Sequence, residues 1–180
     1  MFVTAGTLVS SAEQVADGVI TAAKLADAAK PLVLLKANSG TDQTASAANV
    51  DTVAISGLTA KDTLLILYTL ESTVAATTTP LLYNDTDAVN LASLFGNGNV
   101  AIGDEVIGQA HIRQAQSGAT VILSNHYATE SGNATAKTHA VSSAFTTNWT
   151  GSWTLALRHG GVAATGTFKW SWSVFKVAGQ

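Results

Sequence analysis

The chain contains no cysteine, and only 12% of its 180 residues carry a charge. Without cysteine there are no disulfides, no thiol chemistry and no cysteine-based zinc site, and the redox compartment is left open. The nine lysines and arginines are dispersed, and twelve acids outnumber them to give a net charge of −3. A basic surface for phosphate backbones is therefore missing, and we expect no nucleic-acid partner.

Long apolar runs are also scarce. The longest, residues 64–68, is far too short to cross a bilayer. Residues 1–4, M-F-V-T, lack the basic and apolar regions of a signal peptide. We expect no membrane partner, and a protein that is made in the cytoplasm without export.

What the chain does contain is a large apolar share, 47% of residues, in a mass of 18.4 kDa. Threonine, serine, asparagine and glycine must solvate most of the surface, since charge is so low. Such a composition favours β-structure and is typical of proteins whose outer surface is largely covered by neighbours. It predicts a single domain that works in an assembly.

The clearest local pattern is in residues 167–177, T-F-K-W-S-W-S-V-F-K-V. Large apolar side chains alternate with lysine and serine, which predicts a long strand with one buried face. The alternation slips at Phe175, which indicates a bulge or a second buried surface. We expect Lys169 and Phe175, on the other side, to contact a subunit or a lattice neighbour.

Similar but shorter patterns run through the rest of the chain. About eight or nine strands separated by turn signals predict an all-β fold, a jelly-roll-like β-sandwich over residues 31–180. Residues 63–70 are apolar on both faces, which predicts a central strand. We expect residues 152–158 to pair with the terminal strand, and residues 87–95 to form one or two helical turns.

Residues 1–30 form a separate, partly helical arm in this interpretation. Capping residues at Ser10 or Ser11 and at Thr21 begin two stretches that are each too short to be stable alone in water. The arm must therefore dock on something. Its apolar residues are the predicted partner-binding set: Val15, Val19, Ile20 and Leu25.

No motif indicates catalysis or a cofactor. The four histidines, His111, His126, His139 and His159, show no metal-ligand spacing. Asp104 and Glu105 are adjacent, so on a strand they point to opposite faces and cannot share a reacting atom. We expect no enzyme activity, no metal and no cofactor. Of the four histidines, His111 is the foremost candidate for a site, because it faces outward beside Arg113 on a predicted strand.

The four tryptophans leave two interpretations open, a sugar-binding aromatic platform or core packing. Trp153, Trp170 and Trp172 lie on the apolar side of their predicted strands, which favours the core. Trp149 lies in the polar stretch T-T-N-W-T and is the predicted exposed contact.

Residues 15–28, V-A-D-G-V-I-T-A-A-K-L-A-D-A, resemble the D-G-x-I-T-x-A-K-L-A-D-type motif of tailed-bacteriophage fibre, collar and head-decoration proteins. In those families the motif lies at subunit junctions or where a fibre attaches to the particle. The motif occurs once in this chain and is followed by a β-domain, so the chain resembles a capsid-decorating protein more than a long fibre. The resemblance implies a virion location, a homo-oligomer, usually a trimer, and the major capsid protein or another virion protein as partner. The alternative is a receptor- or glycan-binding tip of a fibre or spike.

Overall fold

Ten strands make up the part of the chain that the structure describes. A computed structural model describes residues 32–41, 48–73, 80–94, 103, 105–115, 121–130, 143–160 and 167–179, with the backbone alone for 121–130 and 143–145. No helix within these ranges is long and apolar enough to span a membrane. The predicted arm residues Val15, Val19, Ile20 and Leu25 lie outside the described residues, so their docking role stays a prediction.

The strands, in chain order, are β1 (Leu32–Gly40), β2 (Asn49–Ile55), β3 (Thr63–Ser72), β4 (Pro80–Asn84), β5 (Val89–Ser93), β6 (Glu105–Gln114), β7 (Val121–Glu130), β8 (Ser143–Phe145), β9 (Trp153–His159) and β10 (Phe168–Val177).

They form two antiparallel sheets. The six-stranded sheet has the order β1-β10-β3-β6-β7-β8 and the four-stranded sheet the order β2-β9-β4-β5. Most strands that follow one another in the chain belong to different sheets, which is the jelly-roll arrangement. Strands β7 and β8 extend one edge of the six-stranded sheet. The predicted all-β, jelly-roll-like sandwich is confirmed. The central place predicted for residues 63–70 is confirmed as well, because β3 pairs with both β10 and β6.

The core lies between the sheets and is built by period-two alternation. In β3, Leu64, Ile66, Tyr68 and Leu70 are buried, while the residues between them are half-buried or exposed. In the same sheet the alternate residues of β10 and β6 extend this layer with Phe168, Trp170, Trp172, Val174, Val106, Ala110 and Ile112. The facing layer comes from the four-stranded sheet and includes Trp153, Leu155 and Leu157 of β9. The buried side chains of the two inner faces interdigitate, as expected for a sandwich.

Three local predictions are wrong. Strand β10 pairs with β1 and β3, whereas β9 belongs to the other sheet. The apolar faces of two strands are buried equally well whether the strands are neighbours in one sheet or face each other across the core. The alternation of apolar residues in β9 and β10 therefore could not distinguish these two arrangements. Residues Val89–Ser93 form strand β5 instead of helical turns, because Asn84 organises a hairpin before them: its side-chain oxygen accepts hydrogen bonds from the backbone N–H groups of Thr86 and Asp87 at 3.1 Å.

The third wrong prediction is one of the two interpretations of the slip at Phe175, a bulge in this strand. The register of β10 with β3 runs unbroken from Phe168 to Val177. The irregularity is in the neighbouring strand, where β1 shifts register between Leu34 and Lys36. Phe175 is half-buried and, by its position in the alternation, points away from the core. The second of the two interpretations, a further covered surface, is the one that remains.

One end of the sandwich is closed by Asp62, which is 3% exposed. Its carboxylate accepts hydrogen bonds from the N–H of Thr59 at 2.7 Å and the N–H of Gly179 at 3.0 Å, and it lies 3.1 Å from Lys176 Nζ. Burial alone would raise the pKa of Asp62, but these donors outweigh it and the pKa is lowered. The carboxylate therefore ties the end of β10 to the turn before β3.

Candidate interaction surface

The outward-pointing residues of the six-stranded sheet form the surface on which the predicted contacts lie, and we call it the outer face. Strand register arranges β10, β3 and β6 in five rows. From one end to the other these are Lys169–Glu71–Glu105, Ser171–Thr69–Ile107, Ser173–Leu67–Gln109, Phe175–Leu65–His111 and Val177–Thr63–Arg113. In β1, Leu34 lies opposite Phe175 and Leu32 opposite Val177, so both extend the apolar rows.

Large apolar side chains are exposed on this face. Leu32, Leu34, Leu67 and Ile107 have 48%, 55%, 40% and 58% of their surface accessible. Val33 is the fifth exposed large hydrophobic residue in the described ranges, and its register partner Lys176 places it on the opposite side of the sheet. Four of five exposed apolar residues therefore share one face, with half-buried Leu65, Phe175 and Val177 between them.

A shallow groove crosses the middle of the outer face. Its volume is about 430 Å³, and its outward lining comprises Leu67, Thr69, Ile107, Gln109, Ser171 and Ser173. The groove exists because β10 presents two serines at the level where β6 presents an isoleucine and a glutamine. It thus has short hydroxyl side chains on one side and long side chains on the other.

Among the described side chains of this face, which are those of β1, β10, β3 and β6, charges lie only at the two ends. At one end Lys169 Nζ lies 3.1 Å from Glu71 Oε1, an exposed ion pair of the kind that adds little to stability. Glu105 is directly opposite Glu71 in the register, so two carboxylates are neighbours there. At the other end are His111 and Arg113. The centre is uncharged, which is the composition of a protein interface core with a polar rim.

The predicted contact residues fall in different places. Lys169 is exposed and Phe175 half-buried, and both are on the outer face, where their contact with a partner stays a prediction. The prediction that Trp149 is an exposed contact is wrong, because its side chain is 1% exposed.

The indole of Trp149 packs inside the end of the sandwich. Its ring centroid is 6.0 Å from that of Trp153, and its Nε1–H donates to the carbonyl of Thr59 at 2.8 Å. The polar neighbours that suggested a loop do form a turn, but that turn directs the indole inward. The other three tryptophans are 2–6% exposed. All four are core residues, so none provides a sugar-stacking platform.

A buried histidine and a half-buried aspartate are the polar groups inside the sandwich that could form a site. His159 is 1% exposed, its ring lies 4.6 Å from that of Phe168, and neither ring nitrogen has a hydrogen-bond partner within the described ranges. Burial lowers the pKa of His159 below its usual 6.5. No three histidine or carboxylate side chains among the described residues are grouped so as to hold a metal.

Asp51 joins the edges of the two sheets. Its carboxylate accepts hydrogen bonds from Trp172 Nε1 at 2.7 Å, Lys36 Nζ at 3.0 Å and Asn38 Nδ2 at 3.1 Å. Burial opposes ionisation, but these donors outweigh it and lower the pKa of Asp51. With its oxygens occupied by three side-chain donors, the carboxylate serves as a structural link.

Sequence reasoning missed the exposed apolar residues of the outer face. Ile107 interrupts the otherwise polar side of β6, and Leu67 continues the apolar run of β3 on the side away from the core. An isoleucine out of phase with its strand was the available signal. The apolar residues on both faces of β3 predict a central strand, but Leu67 on its outward face is 40% exposed.

Comparison with known proteins finds a distant structural likeness. No protein-family model matches the chain, and no curated protein matches it. Among solved structures the chain is similar to arcelin-5, a lectin-like defense protein from Phaseolus vulgaris, with 12% sequence identity over 83% of this chain and 93% of that one. The TM-score is 0.37, so this likeness carries no argument about function.

Proposed function

We propose that the chain is a structural protein of a tailed-phage virion that decorates or cements the capsid, acting through binding by its N-terminal arm and its sheet surface. The observation that carries this proposal is the outer face, where four large apolar side chains are 40–58% exposed. Monomeric soluble proteins rarely expose several large apolar side chains together on one surface. Where an exposed apolar patch is large, it commonly marks a contact with another protein.

The low charge of the chain supports an assembled state. With 12% charged residues, the exposed surface depends on threonine, serine, asparagine and glycine for its hydration. A surface of this kind is suited to being covered by neighbours, because little charge has to be desolvated when a contact forms.

The resemblance of residues 15–28 to the phage motif supplies the proposed partner. In the related families that motif lies at attachment points, so we assign particle binding to Val15, Val19, Ile20 and Leu25. The homo-oligomer that the resemblance implies, a trimer, would present several arms to one capsid. Linked contacts of this kind strengthen a weak individual contact through effective concentration.

The alternative, a receptor- or glycan-binding tip, has less support. Its aromatic candidates were the four tryptophans, and all of them are buried. What remains for a glycan is the groove of the outer face, whose two aromatic lining residues, Tyr68 and Trp172, are 3% and 2% exposed and so offer a sugar little ring surface.

Co-sedimentation tests the proposal. Capsids assembled from the major capsid protein of the phage that carries this chain are mixed with the full-length protein and pelleted. We expect wild-type protein in the pellet, and loss of binding in the variant carrying both Ile20→Asp and Leu25→Asp. The control carries Thr52→Asp and Ala54→Asp, two substitutions at exposed positions of β2, and should bind as wild type does. Absence of wild-type protein from the pellet, or equal binding by the arm variant, would contradict the proposal.

A further inference from the structure

We infer that the outer face is a contact between copies of this chain, in which the β6 column of one copy packs against the β10 column of another. The β6 column is Glu105, Ile107, Gln109, His111 and Arg113, and the β10 column is Lys169, Ser171, Ser173, Phe175 and Val177. This inference deepens the oligomeric part of the proposed function and names the surface that forms it.

Shape complementarity is the first argument. Ile107 is 58% exposed, whereas at the same level of the sheet β10 carries only Ser171 beside the groove. A second copy facing the first brings its Ile107 over that serine, so that the most exposed apolar side chain enters the depression. Gln109 then lies over Ser173, where an amide and a hydroxyl can exchange a hydrogen bond.

Charge complementarity is the second argument. The end row of the face reads Lys169, Glu71, Glu105 across three neighbouring strands, so the β6 column ends in an acid and the β10 column in a lysine. Placing the β6 column of one copy on the β10 column of another brings Glu105 to the partner copy's lysine. In a symmetric pair the four carboxylates of the two end rows then share the two lysines, and each Glu105 lies beside a lysine of the other copy, which favours this alignment over its reverse.

The extent of the face is the third argument. The nine-residue stretch of β3 from Thr63 to Glu71 spans roughly 27 Å at about 3.4 Å per residue, and the five long strands of the sheet, about 4.8 Å apart, cover roughly 24 Å. The flat area is then roughly 650 Å², within the roughly 600–1,000 Å² per partner of a standard protein interface. The face is thus large enough for a stable contact between copies.

This contact has two symmetric uses. If each copy offers both columns to one partner, a twofold axis relates them and the product is a dimer. If each copy offers its β6 column to one neighbour and its β10 column to another, the contact is heterologous and gives a ring, at smallest a trimer, where the rotation between copies closes. The pairing of columns is the same in both.

The test measures mass in solution with the full-length protein and no capsid. Multi-angle light scattering over a concentration series should show a closed oligomer for wild type. Ile107→Asp should weaken association roughly tenfold or more, because a charge is then buried in the contact. The control, Ala54→Asp on exposed β2, should leave the mass unchanged. Circular dichroism checks folding, and Ile107 is exposed enough that its replacement opens no cavity.

Charge reversal tests the alignment of the columns. Lys169→Glu alone and Glu105→Lys alone should each weaken association, and the double variant should restore it, because the opposite charges are exchanged. The double variant also keeps a lysine beside Glu71 within the chain. Failure of the double variant to recover would overturn the β6-on-β10 pairing.

The outcomes separate this inference from the proposed function. A monomeric wild type that still pellets with capsids would overturn the inference and leave capsid decoration standing. An oligomer that Ile107→Asp dissociates, but that does not pellet with capsids, would support the inference and contradict capsid decoration. An oligomer insensitive to Ile107→Asp would show that copies associate through another surface, and the inference would fail.

Discussion

Replacement of Trp149 is the sharpest test of the core described above. The indole is 1% exposed, its ring packs near that of Trp153, and its N–H donates to the Thr59 carbonyl at 2.8 Å. Trp149→Ala removes this packing and leaves a cavity at the end of the sandwich. Such truncations cost about 3–5 kcal/mol, a large part of the roughly 5–15 kcal/mol that holds a typical domain folded.

A second substitution separates the hydrogen bond from the packing. Trp149→Phe keeps most of the apolar volume and loses the donor. The Thr59 carbonyl also accepts a hydrogen bond from the N–H of Asp62 at 3.1 Å, so it keeps a partner, and we expect a cost of about 1–2 kcal/mol for the lost hydrogen bond and the smaller ring. The order of stability should therefore be wild type, then Trp149→Phe, then Trp149→Ala.

Urea unfolding followed by far-ultraviolet circular dichroism measures these differences without depending on tryptophan fluorescence. With a slope of about 2 kcal/mol per molar urea, a loss of about 4 kcal/mol lowers the midpoint by roughly 2 M. Thr150→Ala, at the exposed neighbouring position, is the matched control and should shift the midpoint little. If Trp149→Ala unfolds within about 0.5 kcal/mol of wild type, the indole is not a core residue and the reasoning is refuted.

Two further predictions concern the core. Gly108→Ala should destabilise the fold by about 1–3 kcal/mol, because a Cβ at this position would collide with the ring of Tyr68. In a double-mutant cycle, Tyr68→Leu in the same chain should recover part of that loss of stability. Additive effects of the two substitutions would show that the two residues do not collide. Stability should also fall as the pH drops below 6.5, because the folded pKa of His159 is depressed below that unfolded value and the unfolded chain binds the proton more readily. The slope can reach about 1.4 kcal/mol per pH unit until the folded pKa is passed. Unfolding midpoints measured from pH 7.5 down to pH 5 should therefore decline for wild type and change less for His159→Leu. Equal slopes for the two proteins would exclude His159 as the source of the decline. Asp51 and Asp62, whose pKa values are lowered from 3.8, affect stability only at lower pH.

Much of the fold was predictable from the sequence, because alternation is a local property. In β10 the side chains of Phe168, Trp170, Trp172 and Val174 are all buried, as the pattern predicts. Residues 152–158 likewise form most of strand β9, in which Trp153, Leu155 and Leu157 are buried. Each of these depends on which face of a strand meets water, and neighbouring residues encode that directly.

The choice of strand neighbours depended on the tertiary structure. An apolar face on β9 can be covered by a strand beside it or by a sheet across the core, and both remove the same surface from water. The chain places β9 and β10 in different sheets, which no local pattern specifies. Trp149 shows the same limit for a single residue, since the path of its turn, and not its polar neighbours, decides that the indole is buried.

The surface that carries both proposals was likewise settled by tertiary structure. The sequence alone determined that the chain is rich in strands, poor in charge and suited to being covered by neighbours. Only strand register brings Leu34, Leu67 and Ile107, which come from three distant segments, onto one face of one sheet. An isolated apolar residue on a strand is ordinary, whereas several aligned across neighbouring strands form an interaction surface, and that alignment is a property of pairing between segments far apart in the chain.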